Sequence, residues 1–264
     1  MTPRELSFDV EVPGTPEQVW DAIATGPGIS AWFVPAEIDG ERMVQHHGPG
    51  LDTTSAITAA ERPRRFAYTD DYQPAPDAEP GLVATEFLVE ARSGGTCVVR
   101  LVQSGFGTGD AWERAVKSFS TGWPGALDDL RLYLTHFPGR RAAGFASARI
   151  VDAPREQAWT AISEALGVPE RPAPGDRIAT SRGPRLAGTV TRVEDGYLSL
   201  LLEEPAPGFG FLGAGGPGEE THAFVRQRLF GDDAPALAAR AEAEWEEWLS
   251  EPLGSAPAGA PHRA

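Results

Sequence analysis

The octapeptide PEQVWDAI, Pro16 to Ile23, recurs as REQAWTAI, Arg155 to Ile162, with five of eight positions identical at a constant spacing of 139 residues. A repeat on this scale asks for two copies of one supersecondary plan. A short β-prone run precedes each copy, FDVEV before the first and SARIV before the second. Each half then closes on an amphipathic helical pattern that carries tryptophan. The shared order of strand, helix, strands and closing helix predicts a tandem duplication within the 264 residues.

In the first half, Phe8, Val10 and Val12 alternate as one face of a strand. Thr15 is an N-cap residue with Pro16 at the first helical position. Val19, Trp20 and Ile23 form the apolar face of that helix, which should stop by Gly26-Pro27-Gly28. Strands are expected over Ala36–Ile38, Arg42–His46, Thr53–Ala60, Arg65–Asp70, Val83–Ala91 and Thr96–Gln103. Gly48-Pro49-Gly50 reads as a turn. Ser93-Gly94-Gly95 reads as a hairpin turn between the last two strands. From Trp112 to Phe137 apolar residues recur every three to four positions, one stripe of about seven turns. Gly122 and Pro124 lie inside it, where a kink is expected. A stripe of that length needs a curved sheet to cover it.

Pro138 to Gly144 reads as a linker. In the second half, strands are expected at Arg185–Val193, Tyr197–Glu203 and His222–Leu229, and a helix at Pro235–Leu249. Gly208-Phe209-Gly210-Phe211-Leu212-Gly213 satisfies G-x-G-x-x-G. A dinucleotide site needs a helix to open there and meet the phosphates with its N-terminus. AGGPGEE follows instead, so the segment reads as a flexible loop.

These residues resemble a known family. VPGTPEQVWDAIATGPGISAWF is similar to the opening of the START-like (helix-grip, SRPBCC) superfamily. LVQSGFG before the last helix, and STGWPGALDDLRLYL as a G-W-x-x-x-L-x-x-L-x-x-[YF]-L closing helix, resemble the branch named after the activator of Hsp90 ATPase homologue 1 (AHSA1-like). The second half keeps E-Q-x-W-x-A-I but lacks the closing signature, as a degenerate copy would. The resemblance implies an α+β, helix-grip fold: a curved antiparallel sheet wrapped around a long C-terminal helix, tandemly duplicated. The implied domains are 1–138 and a shorter 145–253, followed by a disordered tail over 254–264.

A formal charge of −15 and a pI near 4.7 argue against nucleic-acid binding, which needs a basic face. No stretch approaches the ~20 apolar residues of a membrane span, and the N-terminus has no signal-peptide core. A soluble, cytoplasmic, bacterial protein is expected. No metal centre is expected: His46 and His47 are adjacent and face opposite ways on a strand, while His136, His222 and His262 are scattered. Cys97, the single cysteine, reads as a small buried hydrophobe. No G-x-S-x-G elbow or P-loop is present, and no cofactor is expected.

The resemblance implies a ligand cavity between sheet and helix, lined by Trp32, Phe33, Phe66, Tyr68, Phe87, Trp112, Phe119 and Trp123. Arg100 and Gln103 are polar candidates on strands; Glu86 and Arg42 are others, with Glu86 and Arg100 expected to pair across the hairpin. The bland readings are a packed aromatic core and an exposed ion pair. The expected function is a non-catalytic carrier or sensor of a small hydrophobic or aromatic ligand. The alternatives are a polyketide cyclase/dehydratase-like enzyme, with Glu86 or His46 as the acid–base group, and a co-regulator of an Hsp90-type chaperone. A protein partner is therefore a further expectation. In the second half, the acidic stretch AEAEWEEWL is expected to turn Trp245, Trp248 and Leu249 inward and its glutamates to water.

Overall fold

The computed structural model describes residues 4–47, 51–216 and 220–251. The Gly48-Pro49-Gly50 turn, Leu253, the tail 254–264 and His262 lie outside them. The chain divides into two units between Arg141 and Ala142.

In the first unit, strand β1 (Leu6–Pro13) turns Val12 inward and leaves Asp9 and Glu11 in solvent. Thr15 then starts helix α1 (Pro16–Ile23). Its hydroxyl accepts from the Gln18 N–H, and the Gln18 side chain accepts from the Thr15 N–H. This reciprocal capping box satisfies two donors that the first turn cannot. The helix stops at Ile23, but Gly26-Pro27-Gly28 does not lead straight into a strand. A second cap, Thr25 accepting from the Gly28 N–H, opens helix α2 (Gly26–Trp32) there. Pro27 suits that first turn because its missing N–H would have had no partner in the helix. The packing is close, since a Cβ at Gly28 would stand 1.9 Å from the Asp21 carbonyl oxygen.

Six strands follow: β2 (Ala36–Asp39), β3 (Arg42–His46), β4 (Asp52–Glu61), β5 (Arg65–Tyr72), β6 (Gly81–Arg92) and β7 (Thr96–Ser104). They form an antiparallel meander, and β1 joins its far end, giving the order β1-β7-β6-β5-β4-β3-β2. The Ser93-Gly94-Gly95 turn joins β6 to β7, with Gly94 and Gly95 at positive φ. Helix α3 (Asp110–His136) carries the long stripe and lies against β1, α1 and α2. It runs through Pro124. Pro124 has no N–H, so the carbonyl four residues earlier loses its helical partner.

The second unit repeats the plan in shorter form. Strand β8 (Ala142–Val151) precedes helix α4 (Arg155–Leu166). Then come β9 (Arg177–Ala179), β10 (Ala187–Glu194), β11 (Tyr197–Glu204), β12 (Gly208–Gly215), β13 (Thr221–Phe230) and helix α5 (Ala234–Ser250). The sheet order is β8-β13-β12-β11-β10-β9, so again the first strand pairs with the last. The architecture is α+β and the two sheet–helix units match a tandem duplication. Strand β8 begins inside the stretch expected to be linker.

The segment expected to be a flexible loop is a central strand. β12, GFGFLGAG, pairs with β11 on one side and β13 on the other. Gly208 and Gly210 are needed there by close backbone approach. A Cβ at Gly210 would stand 2.1 Å from the Arg226 carbonyl oxygen, and one at Gly208 at 2.1 Å from that of Arg228. The core of this unit gathers Trp159, Ile162 and Leu166 of α4, Leu198, Leu200 and Leu202 of β11, and Trp245 and Leu249 of α5. Trp245 and Leu249 thus face inward as expected, while Trp248 is only partly buried.

Candidate functional site

On β5, β6 and β7 alternation sends every second side chain to the inner face of the first unit. The register sets Tyr68 opposite Thr85, and Thr85 opposite Gln103. Three polar side chains therefore stand side by side on adjacent strands, at 4%, 1% and 3% exposure. Buried polar groups need partners. The Gln103 amide nitrogen donates to the Thr85 hydroxyl at 3.0 Å. The indole N–H of Trp123, from α3, donates to the Gln103 amide oxygen at 2.8 Å. The Tyr68 hydroxyl shares hydrogen bonds with Thr85 and with buried Gln45 of β3. Burial, helped by the nearby Asp70 carboxylate, pushes the Tyr68 phenol well above its ordinary range.

A second row lies one inward position along. The register places Val83, Asp70, Ser55 and Met43 across β6, β5, β4 and β3. The Ser55 hydroxyl donates to an Asp70 carboxylate oxygen. Burial holds the Asp70 carboxyl above the usual carboxylate range, and Asp71 adds to this while the Ser55 bond opposes it. Gln45, Ser55, Thr85 and Asp70 were not singled out from the sequence.

Aromatic rings flank these rows on both sides. On one side Phe33 stacks on Trp123 at 5.2 Å, Trp32 and Trp123 each meet the edge of Phe87, and Trp32 lies against Phe33. The Trp32 indole N–H is held by the Ala22 carbonyl at 3.0 Å. Phe66 touches both Tyr68 and Trp20. On the other side Val83, Trp112 and Ala115 form a cluster of their own, with Tyr72, Phe106 and Phe119 packed against it. Trp112 fits tightly there, because a Cβ at Gly107 would meet its ring at 2.3 Å. Phe33 and Phe119 are only partly buried.

Other candidates lie elsewhere. Arg100 stands on the solvent face, its guanidinium on both carboxylate oxygens of Asp9 at 2.8 and 3.0 Å. Its neighbours Val99 and Leu101 take the inner face, so alternation turns Arg100 out. Glu86 also points away from the inner face. The register sets Arg100 opposite Leu88 rather than Glu86, and Glu86 pairs with Arg65. Arg42 is exposed, with Thr54 as its partner at 3.4 Å. His46 pairs with Asp52 at 2.9 Å, and His47 meets the Phe33 ring edge-on at 6.1 Å. Desolvation holds His47 below the ordinary histidine pKa. Cys97 is buried, donates to the Gly14 carbonyl at 3.4 Å and has its thiol pKa raised by burial. Among the described residues no group of histidine, cysteine, aspartate and glutamate is placed to hold a metal ion. No described helix is long and apolar enough to cross a membrane.

The outer clefts among the described residues include the following two. One of about 250 Å³ lies between α1 and the end of α3, lined by Asp21, Thr25, Tyr133 and Arg140. The other, about 350 Å³, lies in the second unit against α5, lined by Arg185, Glu204, Leu237 and Arg240. Neither is lined by any of the ten candidates.

Residues 13–135 match the family described as Activator of Hsp90 ATPase homolog 1-like protein. No curated protein matches the sequence. Similar solved structures include protein MLL2253 from Mesorhizobium loti, 21% identical over 51% of this chain and 98% of its own, with a TM-score of 0.45. The di-domain ARO/CYC BexL from the BE-7585A biosynthetic pathway is 18% identical over 93% of this chain and 92% of its own, at 0.45. DynU16, from the dynemicin biosynthetic locus, is 14% identical over 93% and 95%, at 0.43. Over residues 13–135, the first unit of the chain is similar to the family described as Activator of Hsp90 ATPase homolog 1-like protein.

Proposed function

We propose that the first unit binds a small, mostly apolar or aromatic ligand between its inner sheet face and α3, as a non-catalytic carrier or sensor. The observation that carries this reading is the buried row Tyr68–Thr85–Gln103, tied to Trp123 of α3. A face that only packs against a helix is served best by apolar side chains, because each buried polar group must be matched. Here polar groups occupy the middle of the face, and aromatic rings flank them. That is the lining expected of a site for a ring-bearing molecule with a few oxygen or nitrogen atoms. Trp32, Phe33, Phe66, Phe87 and Trp123 supply apolar contact on one side, and Trp112 and Phe119 on the other. Tyr68, Thr85 and Gln103 supply orientation.

Native mass spectrometry of the purified protein, followed by extraction and identification of co-purified molecules, tests the reading. A stoichiometric adduct lost in Phe87→Ala and Gln103→Leu and kept in the surface control Arg100→Ala supports it. A bare mass, together with no change in tryptophan emission across a panel of aromatic ligands, overturns it and directs attention to a protein partner.

One observation favours an acid–base enzyme as a second reading. Asp70 is a half-buried carboxyl on the inner face, and its raised pKa leaves it readier to hold a proton than a surface aspartate. If Asp70→Asn binds the identified ligand as the native protein does, and the native protein alone converts it, the protein is an enzyme. If neither converts it, the carrier reading stands.

A further inference from the structure

The two units close in the same way. Gln103 on β7 lies seven residues before the first residue of α3, 103 to 110, and Gln227 on β13 lies seven before α5, 227 to 234. Both face inward. Gln227 shares its parity with Ala223, Val225 and Leu229, all members of the second core. Each closing helix also turns a tryptophan into its core, Trp123 in one and Trp245 in the other.

Their hydrogen bonding differs. Gln103 is held by both Trp123 and Thr85. Gln227 is 1% exposed, yet neither its amide nitrogen nor its amide oxygen has a partner. Trp245 is 0% exposed and its indole nitrogen has none. The hydroxyl of Ser147, also buried, has none.

These groups share one region. Ser147 on β8 pairs with Val225, one inward position from Gln227. Helix α5 lies on β8 and β13, and its last carbonyls accept from Arg149 of β8. The helix therefore runs back along both strands from Phe230. At ~1.5 Å per helical residue against ~3.3 Å per strand residue, Trp245 comes level with Ser147 and Val225. Interiors rarely leave several polar atoms unmatched in one place.

The register shows how the two units differ here. Where Thr85 stands beside Gln103, Gly210 stands beside Gln227; where Tyr68 follows, Leu200 follows. The second unit has the glutamine and the tryptophan but no hydroxyl at the positions corresponding to Thr85 and Tyr68. No side chain at position 210 can restore one, given the 2.1 Å approach of a Cβ there to the Arg226 carbonyl oxygen. We propose that the second unit holds a bound neutral hydroxyl group in its core, in place of the Thr85 hydroxyl. Its oxygen accepts from the Gln227 amide nitrogen or the Trp245 indole N–H, and its O–H donates to the Gln227 amide oxygen. The surrounding Phe145, Leu200, Leu212 and Val225 disfavour a charged guest. Water and a small organic alcohol share this chemistry.

The full-length protein tests it by NMR, with the Trp245 indole N–H assigned through Trp245→Phe. Cross-relaxation from a long-lived water to that proton identifies water. A stoichiometric hydroxyl-bearing compound in the denatured extract, lost in Gln227→Leu, identifies an organic guest. In either case Gln227→Leu should lower the thermal midpoint and abolish the signal. Absence of both signals in the native protein overturns the proposal, and so does a raised midpoint in Gln227→Leu. Because the native measurement stands alone, the test survives a leucine variant that fails to fold.

Discussion

Phe33 lies flat against Trp123, with ring centroids 5.2 Å apart and planes 19° from parallel. The residue that ends α2 is thereby stacked on the middle of α3, while the indole nitrogen of the same tryptophan reaches Gln103 on the sheet. One side chain joins three elements.

Replacing Trp123 should separate these two roles. Trp123→Phe keeps a ring for Phe33 but leaves the Gln103 oxygen without its donor, at an expected cost of about 1–3 kcal/mol. Trp123→Ala also removes the packing and should cost about 3–5 kcal/mol. Urea denaturation of the two variants measures the difference. Equal costs would mean that the stack contributes nothing.

Asp70 predicts a pH dependence. Its folded pKa lies above the ordinary aspartate value. As pH rises, the unfolded chain gives up this proton before the folded one does. The stabilising effect is therefore full below the unfolded pKa and is lost as pH climbs through the folded one. Asp70→Asn escapes that loss. It should be more stable than the native protein at neutral pH, with the gap closing below about pH 4. Denaturant midpoints across that range read the gap directly; a constant gap would show that Asp70 titrates as in the unfolded chain.

Gly210 and Gly215 provide a matched pair on β12. A methyl at Gly210 meets backbone oxygen at 2.1 Å, while one at Gly215 finds nothing nearer than a Phe224 ring carbon at 3.6 Å. Gly210→Ala should cost about 1–3 kcal/mol or more and expose the amides of β12 and β13 to exchange. Gly215→Ala should leave both unchanged, as thermal melts and hydrogen exchange would show.

Thr15→Ala removes the hydroxyl from the capping box and should cost about 1 kcal/mol. Thr15→Ser should recover most of it. Equal loss in both variants would assign the effect to packing of the threonine methyl.

Where the sequence carried local chemistry, it could be read. Thr15-Pro16, the alternating strands of the first unit and the glycine turn at 93–95 each have a mechanism confined to a few residues. Alternation alone also separates Arg100 from Gln103, because Cys97, Val99, Leu101 and Gln103 share one parity and Arg100 has the other. Arg100 is therefore a solvent-face residue paired with Asp9, not a cavity group. Helix α2 was hidden because Gly-Pro-Gly reads as a breaker unless Thr25 is seen as a cap. Strand β12 was hidden because glycine weakens strand propensity, and only the neighbouring backbones show why glycine stands there. The inner places of Ser55 and Asp70 could not be counted along the chain: β4 slips its register between Ile57 and Ala59, and the partner of Ser55 lies across a strand pair.

The placement of β1 beside β7 has a consequence for synthesis. Asp9 meets Arg100 across 91 positions of chain, and Glu11 meets Thr96 across 85. A ribosome adding about 5–20 residues per second exposes β1 for several seconds before β7 exists to cover it. During that interval its edge is unpaired, and its apolar face has no helix to rest on. The outward charges Asp9 and Glu11 sit on the strand that must wait, where they discourage it from pairing with another nascent copy.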